Sequence, residues 1–429
     1  MTAEATSPVQ TTAPEVTLGQ LRARGRVRAV LGLLGPAFVA AVAYIDPGNF
    51  ATNFTAGAAH GYQLAWVIVM ANLMAVLVQY LTSKAALATG RSLPELCRDR
   101  FGRRANVVLW LQAEVVAMAT DLAEFVGASV GINLIFGVPL FVAGLITAVV
   151  AFVILGLQQR GYRRFELAII ALLALVGAAF LYLLVATGGQ QYTQLAGGLV
   201  PRLDGTGALG LAVGIIGATV MPHVVYLHSA LQQNRVGARG PQERQTLLTA
   251  NRWDCVTGLG LAGLVNLAML CVAAALFHGA STSGVVDLGV VHTRLGSLVG
   301  GGAALAFGVA LMASGLSSSS VGTYAGQVVM AGFMNWRIPL LLRRLLTMAP
   351  SLLVLGLAVN PSQALVLSQI VLSFGIPFAL VPLLLVTRDR LTMTDMVNRR
   401  LTTALMVVTT VIITGLNLYL LGQAIFGAV

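Results

Sequence analysis

Apolar stretches long enough to cross a lipid bilayer recur along almost the whole chain, and they constrain its fold more than any other feature. A membrane-spanning helix needs about 20 mostly apolar residues, and the 429-residue chain contains eleven such stretches without a soluble domain between them. Only 10% of its residues are charged, whereas soluble domains have about a quarter. We therefore predict an all-α integral membrane protein with eleven transmembrane helices. The predicted spans are residues 29–59, 62–88, 105–136, 138–158, 165–187, 208–233, 253–278, 297–330, 338–359, 362–386 and 401–427.

The domain organisation follows from these spans. The first 20 residues are rich in Thr, Ala and Pro, and we expect them to form a disordered cytoplasmic tail. Residues 21–429 are predicted to be a single transmembrane domain. Within it, helices 1–5 cover about residues 29–187, helices 6–10 about 208–386 and helix 11 about 401–427.

The placement of the basic residues predicts the orientation in the bilayer. The formal charge is +11, from 26 basic and 15 acidic residues. With a cytoplasmic N-terminus, 24 of the 26 basic residues fall on the cytoplasmic side, and only Arg202 and Arg294 fall outside. This asymmetry follows the positive-inside rule, and an odd number of spans then places the C-terminus outside. The basic surplus therefore indicates orientation and argues against a nucleic-acid partner. The minimal loops favour a bacterial inner (plasma) membrane.

Motifs of soluble enzymes do not occur in the sequence. It has neither a Walker loop nor an H-E-x-x-H motif, so neither ATP hydrolysis nor metalloprotease chemistry is indicated. Its three cysteines, Cys97, Cys255 and Cys271, have the spacing of neither a zinc site nor a disulfide framework. We predict a protein that is not an enzyme, has no resident cofactor and needs no obligate protein partner.

Two of the predicted spans are interrupted by proline at mid-membrane depth. In the first span, AYIDPGNFAT at residues 43–52, Pro47 lacks an N–H and so frees the carbonyl of Ala43. Gly48 lets the backbone leave helical geometry. In the sixth span, Pro222 frees the carbonyl of Ala218 in the same way.

These interruptions lie five spans apart, as expected for two five-helix repeats. Because each repeat has an odd number of spans, the second must be inverted relative to the first. Interrupted segments at matching positions of inverted repeats indicate the central site of a secondary transporter. The alternative is that both prolines are ordinary kinks, which membrane helices tolerate.

The polar groups at the interruptions form a candidate cation site. Asp46 and Asn49 lie at the first break and Met221 at the second. A charged aspartate at the bilayer centre costs about 2.5–3.5 kcal/mol on insertion scales, so it needs a functional reason. The thioether of Met221 favours softer ions such as Mn²⁺ or Fe²⁺ over Ca²⁺ and Mg²⁺, unless it only packs. Gln369 in the tenth span is either a further oxygen ligand or a helix–helix hydrogen-bonding group.

The third span carries three carboxylates on one face. Glu114, Asp121 and Glu124 are separated by seven and three residues, which places them within about 80° around the helix. They indicate either a proton route, with Arg343 or Arg344 as counter-charges, or a buried structural network.

Two histidines follow the second break. His223 lies directly after Pro222 and His228 five residues later. A buried histidine is usually a core residue, but beside a metal site it can carry protons or tune Asp46, which would itself bind protons. Both interpretations stay open for His223, and the core interpretation is favoured for His228.

The motif DPGN in the first span and MPH in the sixth resemble those of the Nramp family, the proton-coupled divalent metal transporters, and most of all its bacterial manganese transporters. The likeness covers nearly the whole chain. It implies the inverted-repeat fold of the amino-acid and cation symporter superfamily. It also implies that Asp46, Asn49 and Met221 bind Mn²⁺, joined by the carbonyl of Ala218 in one state and of Ala43 in another.

The resemblance further implies that Asp121, Glu124 and the arginine pair take part in proton movement. Which of Arg343 and Arg344 points inward is left open. We therefore expect a secondary transporter that imports Mn²⁺, and also Fe²⁺ or similar ions, with H⁺ by alternating access. The metal is then a substrate. The alternatives are a sodium-coupled amino-acid or amine symporter of the same fold, a metal-sensing receptor without transport, and a channel.

Overall fold

The structure is a computed structural model that describes residues 16–23, 25, 29, 32–159, 162–203, 205–233, 235–237, 240–279, 285–336, 338–357 and 359–426. Residues 1–15, most of the predicted tail, lie outside this range. Val16–Thr17 pair in parallel with Val236–Gly237, and the helix Leu18–Ala23 buries two leucines. The prediction of disorder is therefore wrong for residues 16–20, because a pairing with a segment more than 200 residues away has no local signal.

The predicted all-α membrane fold is confirmed, apart from this two-residue strand pair. Helices lie at the position of every predicted span, and we keep the span numbers for them. In order they are Pro36–Ala43 with Pro47–His60, Ala65–Thr89, Arg103–Phe136, Leu140–Gln159, Tyr162–Thr187, Gly205–Thr219 with Pro222–Gln232, Pro241–Phe277, Gly301–Val329 continued by the π-helical Met330–Met334, Leu340–Gly356, Pro361–Thr387 and Arg400–Phe426.

The count of eleven is not confirmed by length and composition. Among the described residues, eight helices are long and apolar enough to cross a membrane. The first span is divided into pieces of 8 and 14 residues, the fourth qualifies only as the shorter apolar helix Leu140–Ile154, and the ninth has 17 residues. For the first, fourth and ninth spans, membrane crossing therefore stays a prediction, and so does the total of eleven.

Several helices lie outside the predicted apolar stretches. The seventh span begins at Pro241 and runs for 37 residues, although its apolar part begins only near residue 253. Hydropathy detects the membrane-buried part of a helix and misses a polar extension. Four shorter helices occupy the connections: Leu93–Arg100, Tyr192–Gly198, Leu288–Leu298 and Arg390–Met393.

Both predicted helix breaks are present. The first half of the first span ends at Ala43, and the second half begins at Pro47. In the sixth span the helix ends at Thr219 and resumes at Pro222. Each proline occupies the first position of the new helix, where an N–H would have no intrahelical partner.

Neighbouring spans satisfy the backbone of the first break. Asn266 of the seventh span donates its side-chain amide to the carbonyl of Tyr44 over 2.7 Å. The hydroxyl of Ser314, in the eighth span, donates to the carbonyl of Ile45. An unpaired carbonyl buried in a membrane protein costs several kcal/mol, so these two side chains stabilise the unwound segment.

The third span packs directly against the start of the new helix. A Cβ atom at Gly127 would collide with the ring of Pro47, and one at Gly131 would collide with the backbone of Met312 in the eighth span. Small residues permit such close approach between membrane helices. The acidic face of the third span is thereby held beside the first break.

We predict that Gly127→Ala destabilises the folded protein, because the rigid Pro47 ring has no alternative rotamer that makes room for a methyl group. Overpacking of this kind costs about 1–3 kcal/mol, so the thermal unfolding midpoint in detergent should fall. Gly177→Ala is the matched control, since its Cβ would meet no atom within 4 Å. Equal midpoints for the two variants would contradict the proposed contact.

Candidate cation site

Asp46 is the charged group at the centre of the first break. It caps the helix Pro47–His60 and its side chain is completely buried. Its Oδ1 accepts a hydrogen bond from the backbone N–H of Asn49 and another from the side-chain amide of Asn49, both over 2.8 Å. The aspartate is thus fixed by its own helix N-terminus, where the peptide dipoles favour a negative charge.

Asn49 connects the two breaks. Its Nδ2 also donates to the carbonyl of Ala218 over 3.0 Å. That carbonyl has no helical donor, because the residue four positions on is Pro222. The breaks of the first and sixth spans therefore lie against each other, with one asparagine side chain bonded to both.

The tenth span supplies a third side of the site. Gln369 Nε2 donates to Asp46 Oδ2 over 3.4 Å. A Cβ at Gly48 would collide with the amide of Gln369, and a Cβ at Gly217 would collide with its carbonyl oxygen. One glycine in each broken span thus allows the tenth span to touch both breaks.

Two oxygen atoms at this site have unused acceptor capacity. Among the described residues, Asn49 Oδ1 and Gln369 Oε1 are buried and have no hydrogen-bond partner. Buried polar atoms normally have a partner, and an orphaned oxygen next to a carboxylate is a ready ligand for a cation. Asp46, Asn49 and Gln369 therefore provide oxygen donors that converge at the two breaks.

The remaining predicted ligands lie at the ends of the helix halves. Met221 is completely buried and directly precedes Pro222, and Ala43 is the last residue of the first half-helix and is also buried. Among the described residues, the hydrogen bonds to the Asp46 side chain come from Asn49 and Gln369 and from neither Met221 nor Ala43. Within the described residues there is no group of three or more His, Cys, Asp or Glu suited to a metal, so an ion at the breaks would be held mainly by neutral donors.

The acidic face of the third span points into the protein and meets the arginine pair. Arg344 Nη1 lies 3.5 Å from Asp121 Oδ1, and both side chains are buried. The guanidinium also donates to the carbonyl and hydroxyl of Ser319 over 3.0 and 2.6 Å, and to the hydroxyl of Thr323.

The neighbouring arginine has a different partner. Arg343 forms a bidentate ion pair with Glu114, with Nη2–Oε2 and Nη1–Oε1 distances of 2.9 and 3.3 Å. Trp110 donates its indole N–H to the same carboxylate. The Glu114 side chain is 18% exposed, whereas Asp121 is buried. Both arginines are buried, and Arg344 faces Asp121 whereas Arg343 faces Glu114.

Glu124 lies one helical turn before Gly127, the residue of the third span that packs against Pro47 at the first break. It is completely buried, and neither carboxylate oxygen has a hydrogen-bond partner of normal geometry among the described residues. It is close enough to interact electrostatically with both Asp121 and Asp46. Glu124 therefore connects the acidic face to the cation site.

The two histidines occupy different surroundings. His223 Nδ1 lies 3.2 Å from the hydroxyl of Thr120 in the third span. His228 Nδ1 lies 2.9 Å from Gln79 Oε1, and Gln79 Nε2 donates to the hydroxyl of Tyr44 at the first break over 2.6 Å. His228 is thus a buried, hydrogen-bonded residue of a polar chain that reaches the break.

Sequence reasoning missed the polar side chains that support the site from other spans. Gln79 and Asn266 each interrupt an apolar run, MAVLVQYLT and GLVNLAML, and both are buried. An amide in the middle of an apolar span is a usable signal, because it must find a partner inside the protein. The sequence does not say which partner.

Comparisons with known proteins agree with this architecture. The family model for Nramp, described as natural resistance-associated macrophage protein-like, matches residues 37–423. The divalent metal cation transporter MntH of Deinococcus radiodurans is 51% identical over 401 residues, which cover 94% of this chain and 92% of the relative. MntH of Bacillus subtilis is 46% identical over 92% of this chain and 94% of the relative.

Solved structures are similar over nearly the whole chain. A mutant of the Eremococcus coleocola manganese transporter has a TM-score of 0.83 at 30% identity, over 96% of this chain and 92% of that one. Mhp1, a nucleobase-cation-symport-1 family transporter in a closed conformation, has a TM-score of 0.60 at 16% identity, over 96% and 94% of the two chains. The second likeness shows the fold alone.

Proposed function

The chain belongs to the Nramp family, and from this premise we propose that it is a secondary transporter that imports Mn²⁺, together with H⁺, by alternating access. Relatives at 46–51% identity are named divalent metal cation transporters, and a structure at 30% identity is of a manganese transporter. Fe²⁺ and similar divalent transition metals are proposed as further substrates. No step of this proposal requires the protein to be an enzyme.

The observation that carries the proposal is the hydrogen bond from Asn49 to the Ala218 carbonyl, beside the buried carboxylate of Asp46. This arrangement places a carboxylate, a side-chain amide and a backbone carbonyl freed by proline next to one another. A cation that entered here would exclude the Nδ2 hydrogens of Asn49 from both acceptors. Rotation of the Asn49 amide would then present Oδ1, so all three groups could bind the ion through oxygen.

The proposed ligand set combines one charge with several neutral donors. Asp46, Asn49 and Met221 bind through side chains, the Ala218 and Ala43 carbonyls each join in one conformation, and Gln369 adds an oxygen. A single carboxylate leaves a divalent ion with net positive charge, which keeps binding weak enough for release. The sulfur of Met221 favours Mn²⁺ and Fe²⁺ over hard ions that prefer oxygen alone.

Proton coupling is proposed from the same carboxylate. A metal ion binds ionised Asp46, so binding releases any proton that the side chain carries. Glu124 interacts electrostatically with Asp46 and with Asp121, so a proton has a carboxylate to move to. His223 lies directly after the second break, next to Thr120 of the same span as Glu124.

Beyond Glu124, the two arginine–carboxylate pairs extend the route. Arg344 pairs with Asp121 and Arg343 pairs with Glu114, so the row of carboxylates continues beyond Glu124 along the third span. The competing interpretation is that these pairs only stabilise the fold, and the Asp121 experiment below distinguishes the two.

We place the protein in a bacterial inner membrane, with the N-terminus in the cytoplasm and the C-terminus outside. The bacterial MntH relatives support this location, and the distribution of basic residues supports the orientation. A negative-inside potential then favours import, at about 2.3 kcal/mol per charge per 100 mV.

We predict that Asp46→Ala reduces Mn²⁺ uptake into proteoliposomes to background, because it removes the charged ligand. Asp395→Ala is the control: this aspartate is about half exposed and paired with Arg244 at the surface, so uptake should be unchanged. If Asp46→Ala kept most of the wild-type rate, Asp46 would not be a ligand.

We predict that Met221→Ala keeps Mn²⁺ uptake measurable but lets Ca²⁺ compete several-fold more strongly, because the remaining donors are all oxygens. Competition by Ca²⁺ is measured against uptake of labelled Mn²⁺. Met74→Ala, which truncates a buried methionine in the second span, controls for packing. Unchanged Ca²⁺ competition in Met221→Ala would show that the sulfur is not the selecting group.

We predict that Asp121→Asn weakens metal-evoked proton flux more than metal uptake, because it removes a proton acceptor without touching the metal ligands. Both fluxes are measured on the same vesicles, with a pH-sensitive dye and a metal-sensitive dye. Asp99→Asn, an exposed aspartate, serves as the control. Equal losses of the two fluxes would favour the structural interpretation of the acidic face.

A further inference from the structure

Two hydrogen bonds hold three elements together near the predicted cytoplasmic surface. Asn251 of the seventh span donates to the hydroxyl of Ser83 in the second span over 2.6 Å. Lys84 Nζ donates over 2.9 Å to Asn398 Oδ1, just before the eleventh span. The residue that follows each of Ser83, Asn251 and Asn398 is basic, namely Lys84, Arg252 and Arg399.

The two hydrogen bonds bring together the segments that carry these three cations. Tyr80, one helical turn before Lys84, interacts electrostatically with both Arg252 and Arg399, and Lys84 interacts with Arg399. Charges of one sign from three separate elements repel one another in this arrangement. A bound anion would relieve this repulsion.

No carboxylate of the described residues forms an ion pair with the cluster. Lys84 donates only to the neutral oxygens of Asn398 and Val397. The nearest acidic residues along the chain are used elsewhere. Asp254 accepts hydrogen bonds from the backbone N–H groups of Gly35 and Ala37, and Asp395 forms an ion pair with Arg244.

The surroundings of the cluster match a lipid headgroup position. The eleventh span begins at Arg400, so its N-terminal N–H groups add a preference for anions. Its exposed apolar face starts at once, with Leu401, Leu405 and Val408 between 49% and 71% exposed. Trp253, beside Arg252, is 61% exposed, as expected of an aromatic residue at a membrane interface.

We propose that Lys84, Arg252 and Arg399, with the hydroxyl of Tyr80, bind the phosphate of an anionic phospholipid from the cytoplasmic leaflet. Its acyl chains lie along the apolar face of the eleventh span. Basic sites between spans on this side of a membrane are suited to anionic headgroups. A bound lipid would hold together the second span, the seventh span and the segment before the eleventh. The second span also carries Gln79, which donates a hydrogen bond to Tyr44 at the first break.

The test is lipid binding to the full-length protein, measured by native mass spectrometry. Wild type should bind phosphatidylglycerol in preference to phosphatidylcholine. The double variant Arg252→Gln and Arg399→Gln should bind phosphatidylglycerol about 30-fold more weakly, since each basic residue near an anionic surface contributes about 1 kcal/mol. Arg103→Gln with Arg104→Gln, exposed residues at the start of the third span, removes the same charge elsewhere and should bind like wild type.

Thermal unfolding gives the second readout. In phosphatidylcholine micelles the double variant should unfold at the wild-type midpoint, because Arg252 and Arg399 are exposed. Added phosphatidylglycerol should raise the midpoint of wild type and control but not of the double variant. The proposal is overturned if the control loses as much binding as the double variant, or if the double variant binds like wild type. It is also overturned if inorganic phosphate alone reproduces the rise, because the site would then bind free anions.

Discussion

The hydrogen bond between Asn49 and the Ala218 carbonyl is the interaction on which the rest of the structure depends. Each broken span leaves a carbonyl without its helical donor, and leaving a buried polar group unpaired costs about 1–3 kcal/mol in mutational data. Neither break could be buried alone. The Asn49 side chain links the two breaks, and Asn266, Ser314 and Gln369 donate to Tyr44, Ile45 and Asp46 at the first break. A cation that replaced the Asn49 donor would therefore find its ligands already assembled.

The need to pair buried polar and charged groups also determines the contacts of the acidic face of the third span. A buried charge is tolerated only when it is paired and hydrogen-bonded. Arg344 meets this requirement through Asp121, Ser319 and Thr323, and Arg343 meets it through Glu114. Among the described residues, Glu124 is the member of the row that forms no ion pair with an arginine. It is also the carboxylate that the proposed proton route places next to Asp46.

Local chemistry decided which parts of this arrangement could be predicted from sequence. Both breaks could be predicted because proline lacks an N–H wherever it stands. Arg343 and Arg344 could not be told apart, because adjacent helical residues point about 100° away from each other and packing alone sets the rotation of the ninth span. The partners of Gln79 and Asn266, the order at residues 16–20 and the polar start of the seventh span at Pro241 depend on contacts distant in sequence. Membrane crossings are hardest to count from length and composition where a span is broken or short.

The geometry also separates the two proposed cargoes. The groups proposed to bind metal come from the first, sixth and tenth spans, whereas the groups proposed to carry protons, apart from His223 of the sixth span, lie on the third span and its arginine partners in the ninth. Asp46 belongs to both sets, since Asn49 and Gln369 contact its oxygens and Glu124 lies within electrostatic range. A proton that leaves toward the third span does not have to pass the incoming metal ion. Coupling then requires only that both compete for one carboxylate, while each keeps its own path to that carboxylate.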